Sequence, residues 1–165
     1  KDIIRWGSNE NVGFYHLNTS PKEVFRFGQL APENIQHSPE VIVPVATEGF
    51  EPALLLASIY EDVDIFPVRY SKCRKNDVQV KIPKGMFRSG VSKKIKNKKV
   101  VALEGTVSSG DSFGKVIRFI KEFEPSSFEA GTVIGKLGMK ALSEEGVKSY
   151  RGNNKFGSVC LDQRV

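Results

Sequence analysis

Residues 99–120 read KVVALEGTVSSGDSFGKVIRFI, and they constrain the fold more than any other stretch. The segment opens as a β-branched apolar run, KVVAL (99–103), with a carboxylate, Glu104, at its end. It closes with Phe113, Val116, Ile117, Ile120 and Phe123 at helical spacing, ahead of a stop at Glu124-Pro125. Between the two lies a turn of small, hydroxylated and glycine residues. A buried strand that feeds a turn and then an amphipathic helix is the first half of a strand–helix–strand unit, and such units build parallel sheets.

The rest of the chain fits that unit. Ser20, Pro21 and Glu23 have the spacing of a helix start, which predicts a helix to about Leu30, ahead of Pro32. VIVPVA (41–46) reads as a buried strand despite Pro44, TEGFEP (47–52) as a turn, and ALLLASIY (53–60) as a helix apolar on every side. VDIFPVRY (63–70) is a second strand and FEAGTVIGK (128–136) a fourth. KALSEEG (140–146) is a short helix, and VKSY and SVCLD are short final strands. Residues 71–98 are long, basic and nearly without periodicity, which predicts a loop with a function or with motion. The expected fold class is α/β: one domain over 1–165, a mainly parallel sheet flanked by helices. In such sheets ligands bind beyond the carboxyl ends of the strands. The loops at 46–52, 70–98 and 104–112 compete for that edge.

The turn at 104–112 has the chemistry of an anion cradle. A helix start offers unpaired backbone N–H groups and a partial positive charge. Gly110 lets the backbone approach a ligand, and Ser108, Ser109 and Ser112 add hydroxyls. The P-loop lysine and the GxGxxG spacing are both missing, which disfavours nucleoside triphosphatases and dinucleotide enzymes. The same residues also suit a capped helix without a ligand. Glu104 distinguishes the two readings. A carboxylate beside a phosphate cradle can accept hydrogen bonds from sugar hydroxyls or approach a metal carried by the phosphate. Together they suggest a sugar phosphate.

Composition bounds the remaining possibilities. The net charge of +6 is concentrated, with KKIKNKK at 93–99 and Lys72, Arg74, Lys75, Lys81, Lys84 and Arg88 before it. Such a segment serves nucleic acid, phosphate ligands or solubility alone. Its few aromatics argue against nucleic acid. Cys73 and Cys160 are far apart and form neither a disulfide framework nor a zinc set. Two free thiols suit a reducing compartment, and no apolar run is long enough to span a bilayer, so a cytoplasmic protein without a membrane partner is expected. The chain does not begin with Met and is read as processed, trimmed or cut from something longer.

VVALEGTVSSGDS resembles the phosphoribosyl-pyrophosphate signature of the type I phosphoribosyltransferases. That signature is an apolar strand, two acids, two mostly apolar residues, two small hydroxyl or acidic residues, Gly, any residue, then Thr or Ser. VPVATEGFEPALLLA resembles the family's first strand, pyrophosphate turn and following helix. GMKALSEEGVKSY is similar to a late helix–strand segment of the adenine, xanthine and orotate members. The likeness spans about residues 40–150, and in the family the flanking regions, here 1–39 and 151–165, form a small hood over the base.

The resemblance implies transfer of phosphoribose from phosphoribosyl pyrophosphate to a nucleobase, with magnesium accompanying the pyrophosphate and a homodimer as the common assembly. It assigns Thr106, Ser108, Ser109, Gly110, Asp111 and Ser112 to the 5-phosphate. Glu104 goes to the ribose hydroxyls and, through the ligand, to the metal. Thr47, Glu48 and Gly49 form the pyrophosphate turn. Arg69 and Lys72 are placed to neutralise the leaving group, Lys84 and Arg88 to reach in from a lid with a hinged tip, and Tyr150 or Phe156 to stack on a base. Two positions depart from the pattern. Gly105 stands where the second acid is expected, and Glu48 where the turn usually carries Arg or Lys. A non-catalytic relative that binds phosphoribosyl pyrophosphate or a nucleotide as a sensor is therefore the alternative. An unrelated phosphate-ester hydrolase or α/β binder sharing only the anion loop is the third reading, and the TEGFEP turn argues against it.

Overall fold

The computed structural model describes residues 21–70, 80–107, 110–135, 147–150 and 159–162, the last two segments as backbone only. Eleven elements follow one another among them. They are α1 (Pro21–Asn34), β1 (Val41–Ala46), α2 (Phe50–Ala57), β2 (Asp64–Ile65), β3 (Val68–Arg69), α3 (Arg88–Ile95), β4 (Lys99–Val107), α4 (Asp111–Lys121), β5 (Ser127–Gly135), β6 (Val147–Tyr150) and β7 (Val159–Asp162). The five-stranded sheet is parallel throughout, in the order β2-β1-β4-β5, with β3 also on β1. β6 and β7 form a separate antiparallel pair. The predicted helix at 140–146 lies outside the described residues.

Both sheet faces are covered, which is why β1 and β4 read as near-continuous apolar runs. On one face Val41, Val43, Val45, Val100, Ala102, Phe128 and Ala130 meet Val91 and Ile95 of α3 and Phe113, Val116, Ile117 and Ile120 of α4. On the other, Ile42, Val101, Leu103 and Val133 meet Phe27 and Ala31 of α1 and Ala53 and Leu56 of α2. Ile117 is fully buried, and truncating such a side chain to Ala costs ~2–5 kcal/mol.

Pro44 is accommodated by a break in the neighbouring strand. Ile42 pairs with Ile65 and Val45 with Val68, so Pro44 falls opposite Pro67, where β2 ends and β3 has not begun. The Phe66 N–H donates to the Ile42 carbonyl, so the even-numbered residues of β1 face this side. The donor that proline lacks is thus missing where the ladder is already interrupted.

Several expected boundaries move. α1 runs two residues beyond Pro32, to Asn34: Ala31 and Ile35 are buried in the core, and the Ile35 N–H donates to the Ala31 carbonyl, so packing outweighs the proline. α2 begins at Phe50, inside the predicted turn, and is apolar apart from Glu51 but buried on one side, with Leu54 57% exposed and Leu56 fully buried. β4 does not end at Leu103 but continues to Val107 against β5. Residues 88–95 are helical rather than loop, because Val91 and Ile95 sit one turn apart and are both fully buried.

Sequence reading also passed over Glu129. It is 5% exposed, and its carboxylate accepts the Gln36 N–H at 3.1 and 3.3 Å, holding the chain that leaves α1. Burial, with a smaller contribution from the Glu129 charge, raises the Tyr60 hydroxyl pKa.

Candidate functional site

Two loops meet at the carboxyl ends of β1 and β4. Leaving β1, the chain passes a cis Ala46–Thr47 bond and turns into α2. Pro44 lies opposite Leu103 in the parallel ladder, so this turn arrives over Glu104 and Gly105. The approach is very close. A Cβ at Gly49 would lie 2.3 Å from the Leu103 carbonyl oxygen, 2.6 Å from the Val45 nitrogen and 2.8 Å from the Val45 oxygen. A Cβ at Gly105 would lie 2.6 Å from the Glu48 Cβ and 2.7 Å from its carbonyl oxygen. Both positions admit only glycine without backbone movement. Gly105, where an acid was expected, is thus the floor on which the turn rests.

Glu104 lies within β4, paired with Thr132 of β5, rather than at the strand's end. Its Oε1 accepts the Gly105 N–H at 3.0 Å. Burial pushes its carboxyl up to about 8; the Gly105 hydrogen bond opposes this and the negative charge of Glu48 adds to it. Two buried oxygens in this region, Glu48 Oε2 and Thr106 Oγ1, have no hydrogen-bond partner among the described residues. Buried polar atoms normally find partners, which makes these two oxygens candidate ligand contacts.

The turn into α4 follows directly. Gly110 takes a left-handed conformation, φ +81°, and turns the chain into α4. No side chain caps that helix among the described residues, and its first internal bond runs from the Gly114 N–H to the Gly110 carbonyl at 2.7 Å. The leading N–H groups of α4 have no side-chain cap among the described residues, which makes them candidate anion donors. Gly110 is buried and Ser112 half-buried. Ser108 and Ser109 lie outside the described residues, as do Lys72 and Phe156, and only the backbones of Asp111 and Tyr150 are described.

Of the predicted cations, Arg69 is exposed at the end of β3, paired with Ala46 just before the turn. Its backbone exchanges two hydrogen bonds with Lys81, at 2.8 and 2.7 Å, which brings the start of the 80–87 segment, with exposed Lys84, to this edge. Arg88 is elsewhere. It opens α3, pairs with Glu122 at 2.7 Å just past the carboxyl end of α4, and stacks over Phe123 and Phe119. It anchors the segment at the end of α4 away from Gly110. A contact that sequence reading missed joins two elements of the edge: Lys115 of α4 donates to the Tyr70 hydroxyl at 2.9 Å and lies over its ring.

A parallel sheet with a half-buried acid on β4, a glycine turn leading into α4 after it and a tightly seated turn after β1 is the frame of an α/β protein with a candidate site at one sheet edge. The phosphoribosyl transferase domain family matches this sequence over residues 16–164, and the chain belongs to it, as a member of the type I phosphoribosyltransferases, a family of pentosyltransferase enzymes. No curated protein matches the sequence. Among solved structures, purine phosphoribosyltransferase from Pyrococcus horikoshii Ot3 is similar with a TM-score of 0.60 and 21% identity, over 73% of this chain and 77% of that one. A hypoxanthine-guanine phosphoribosyltransferase from Bacillus anthracis has a TM-score of 0.52 and 19% identity, over 70% of this chain and 65% of its own. Adenine phosphoribosyltransferase from Saccharomyces cerevisiae has a TM-score of 0.50 and 16% identity, over 74% and 70%. At these identities the likeness is one of fold.

Proposed function

We propose that the protein binds phosphoribosyl pyrophosphate and transfers its phosphoribose to a purine-type base, releasing pyrophosphate. The observation that carries this reading is the delivery of Glu104 and the open start of α4 to one edge by a single strand and turn. In the reaction the C1–oxygen bond to pyrophosphate breaks and a C1–nitrogen bond to the base forms, through a sugar that is cationic on the way. The protein's part is to position the groups, stabilise charge and exclude water. The 5-phosphate would sit on the N–H groups after Gly110 with Ser108, Ser109 and Ser112, Thr106 standing close by. Glu104 would accept from the ribose hydroxyls. The turn at Thr47–Gly49 would border the pyrophosphate, with Arg69 beside it, Lys72 following and Lys84 approaching from the 80–87 segment.

Magnesium fits this edge as a companion of the ligand. Glu48 and Glu104 are hard oxygen donors, and Glu48 Oε2 is unpartnered among the described residues. One or two carboxylates plus phosphate oxygens is the usual magnesium environment. Those two residues would hold the ion, which neutralises pyrophosphate charge when bound. Among the described residues no group of three or more His, Cys, Asp or Glu offers a metal cage independent of ligand.

The test is pyrophosphate release with magnesium, phosphoribosyl pyrophosphate and adenine, hypoxanthine, guanine, xanthine or orotate in turn. Turnover with a purine is expected. Absence of turnover with every base, alongside micromolar binding of the sugar phosphate, overturns the transferase reading. It would favour a nucleotide-binding sensor instead, a reading supported by the negative charge of Glu48 where a leaving pyrophosphate would lie.

A further inference from the structure

We propose that Glu48 is the second sugar-binding carboxylate of this site, supplied by the turn after β1 in place of an acid on β4. The inference rests on the phosphoribose reading above and deepens it. Gly105 leaves β4 with one acid at the edge, and the space that a side chain at 105 would occupy is taken by Glu48. Its Cβ lies 2.6 Å from where a Gly105 Cβ would stand. The acid is thus offered from the turn, its Cβ beside the point where a side chain at 105 would begin.

Three further observations agree. Glu48 Oε2 is fully enclosed yet accepts no hydrogen bond among the described residues. A carboxylate oxygen in that state needs a donor, and neutral hydroxyls supply donors without adding charge. The Thr106 hydroxyl, two residues along β4 from Glu104, is also enclosed and has no partner among the described residues. Glu104 feels the charge of Glu48, so the two carboxylates share one neighbourhood. Two acceptors and a hydroxyl, one turn from an anion cradle, match the vicinal hydroxyls of a pentose whose phosphate sits on α4. Glu48 therefore favours ligands with free hydroxyls on the sugar, rather than serving only as an unfavourable charge near pyrophosphate.

Calorimetric titration without metal tests this on the intact chain, with ribose 5-phosphate, 2-deoxyribose 5-phosphate and inorganic phosphate as probes. Glu48→Gln keeps the size and removes the charge; Glu48→Asp retains the charge on a shorter arm. The wild type should bind ribose 5-phosphate more tightly than inorganic phosphate. Glu48→Gln should weaken ribose 5-phosphate at least ~10-fold, as losing a charged hydrogen bond does. It should leave inorganic phosphate unchanged, with a smaller penalty for the deoxy sugar and partial recovery in Glu48→Asp. Unchanged ribose 5-phosphate affinity in Glu48→Gln, or an equal loss for inorganic phosphate, overturns the assignment while the site reading stands. A wild type that binds neither ribose 5-phosphate nor inorganic phosphate overturns both.

Discussion

The two ends of β4 carry charge in opposite ways. At the amino end lies the most conspicuous run in the sequence, KKIKNKK, and the structure balances it at the surface. Lys94 pairs with Asp64 at 2.7 Å, Lys96 with Glu124 at 3.3 Å and Lys98 with Glu40 at 2.8 Å, all between exposed side chains. Toward the carboxyl end are two acids that composition scarcely notices, Glu48 and Glu104, half-buried near one another with no cation paired to them among the described residues. Exposed pairs contribute little, whereas enclosed like charges are costly and persist where a ligand relieves them. The quiet end of the strand is therefore the candidate site.

The largest effect that would break this contrast is steric. Gly49→Ala drives a Cβ into three backbone atoms of β1 and β4, none of which is a flexible side-chain tip. The cost should be roughly 3 kcal/mol or more, a fall in Tm of roughly 6–12 °C for a chain of this length. Thermal denaturation measures it. A Tm within 2 °C of wild type would show that the turn is not seated on the strand ends as described.

Next comes the pH dependence of the carboxyl end. Glu104 titrates at about 8 in the folded chain against an ordinary value of 4.5. Between those values the native state binds the proton and the unfolded state does not. Stability therefore falls as pH rises through that window and levels off above about 8. The full span corresponds to about 5 kcal/mol at most. Glu104→Gln, which mimics the protonated form, should flatten the decline and exceed wild type in Tm at pH 8.5. Parallel pH–Tm curves for the two proteins would show that Glu104 is not held protonated by its surroundings.

How much of this was legible depends on distance along the chain. The strand, the Gly110 turn and α4 follow from residues 99–123 because the apolar period changes once, across a glycine that takes a positive φ. The parallel sheet followed from repeating that unit. α3 was not legible, because Val91 and Ile95 are two buried residues among Lys93, Lys94 and Lys96, and the charge hid the spacing. The Arg88 pairing is equally hidden from the sequence, since its partner Glu122 lies 34 residues away on another part of the chain. The meeting of Glu48 with Gly105 depends on the β1–β4 register, which places Pro44 opposite Leu103. No local pattern encodes that register. From the sequence, Gly105 and Glu48 looked like two separate departures, and in the structure they are one contact.

The smallest expected effect belongs to the amino end, and it sharpens the comparison by being small. In Glu40 the hydrogen bond from Lys98, then the Lys99 N–H, lowers the carboxyl pKa. That contribution is present above the ordinary carboxylate range and lost as pH falls through the lowered value. Replacing Lys94, Lys96 and Lys98 together with Ala should shift Tm at pH 7 by no more than about 4 °C, since each pair is exposed and screened. Affinity for ribose 5-phosphate should not change at 0.15 M salt. Lys98 and Glu104 are separated by roughly 20 Å of extended strand, more than twice the ~8 Å screening length. A triple variant that loses ribose 5-phosphate binding at that ionic strength would mean that the two ends of β4 act as one charged surface.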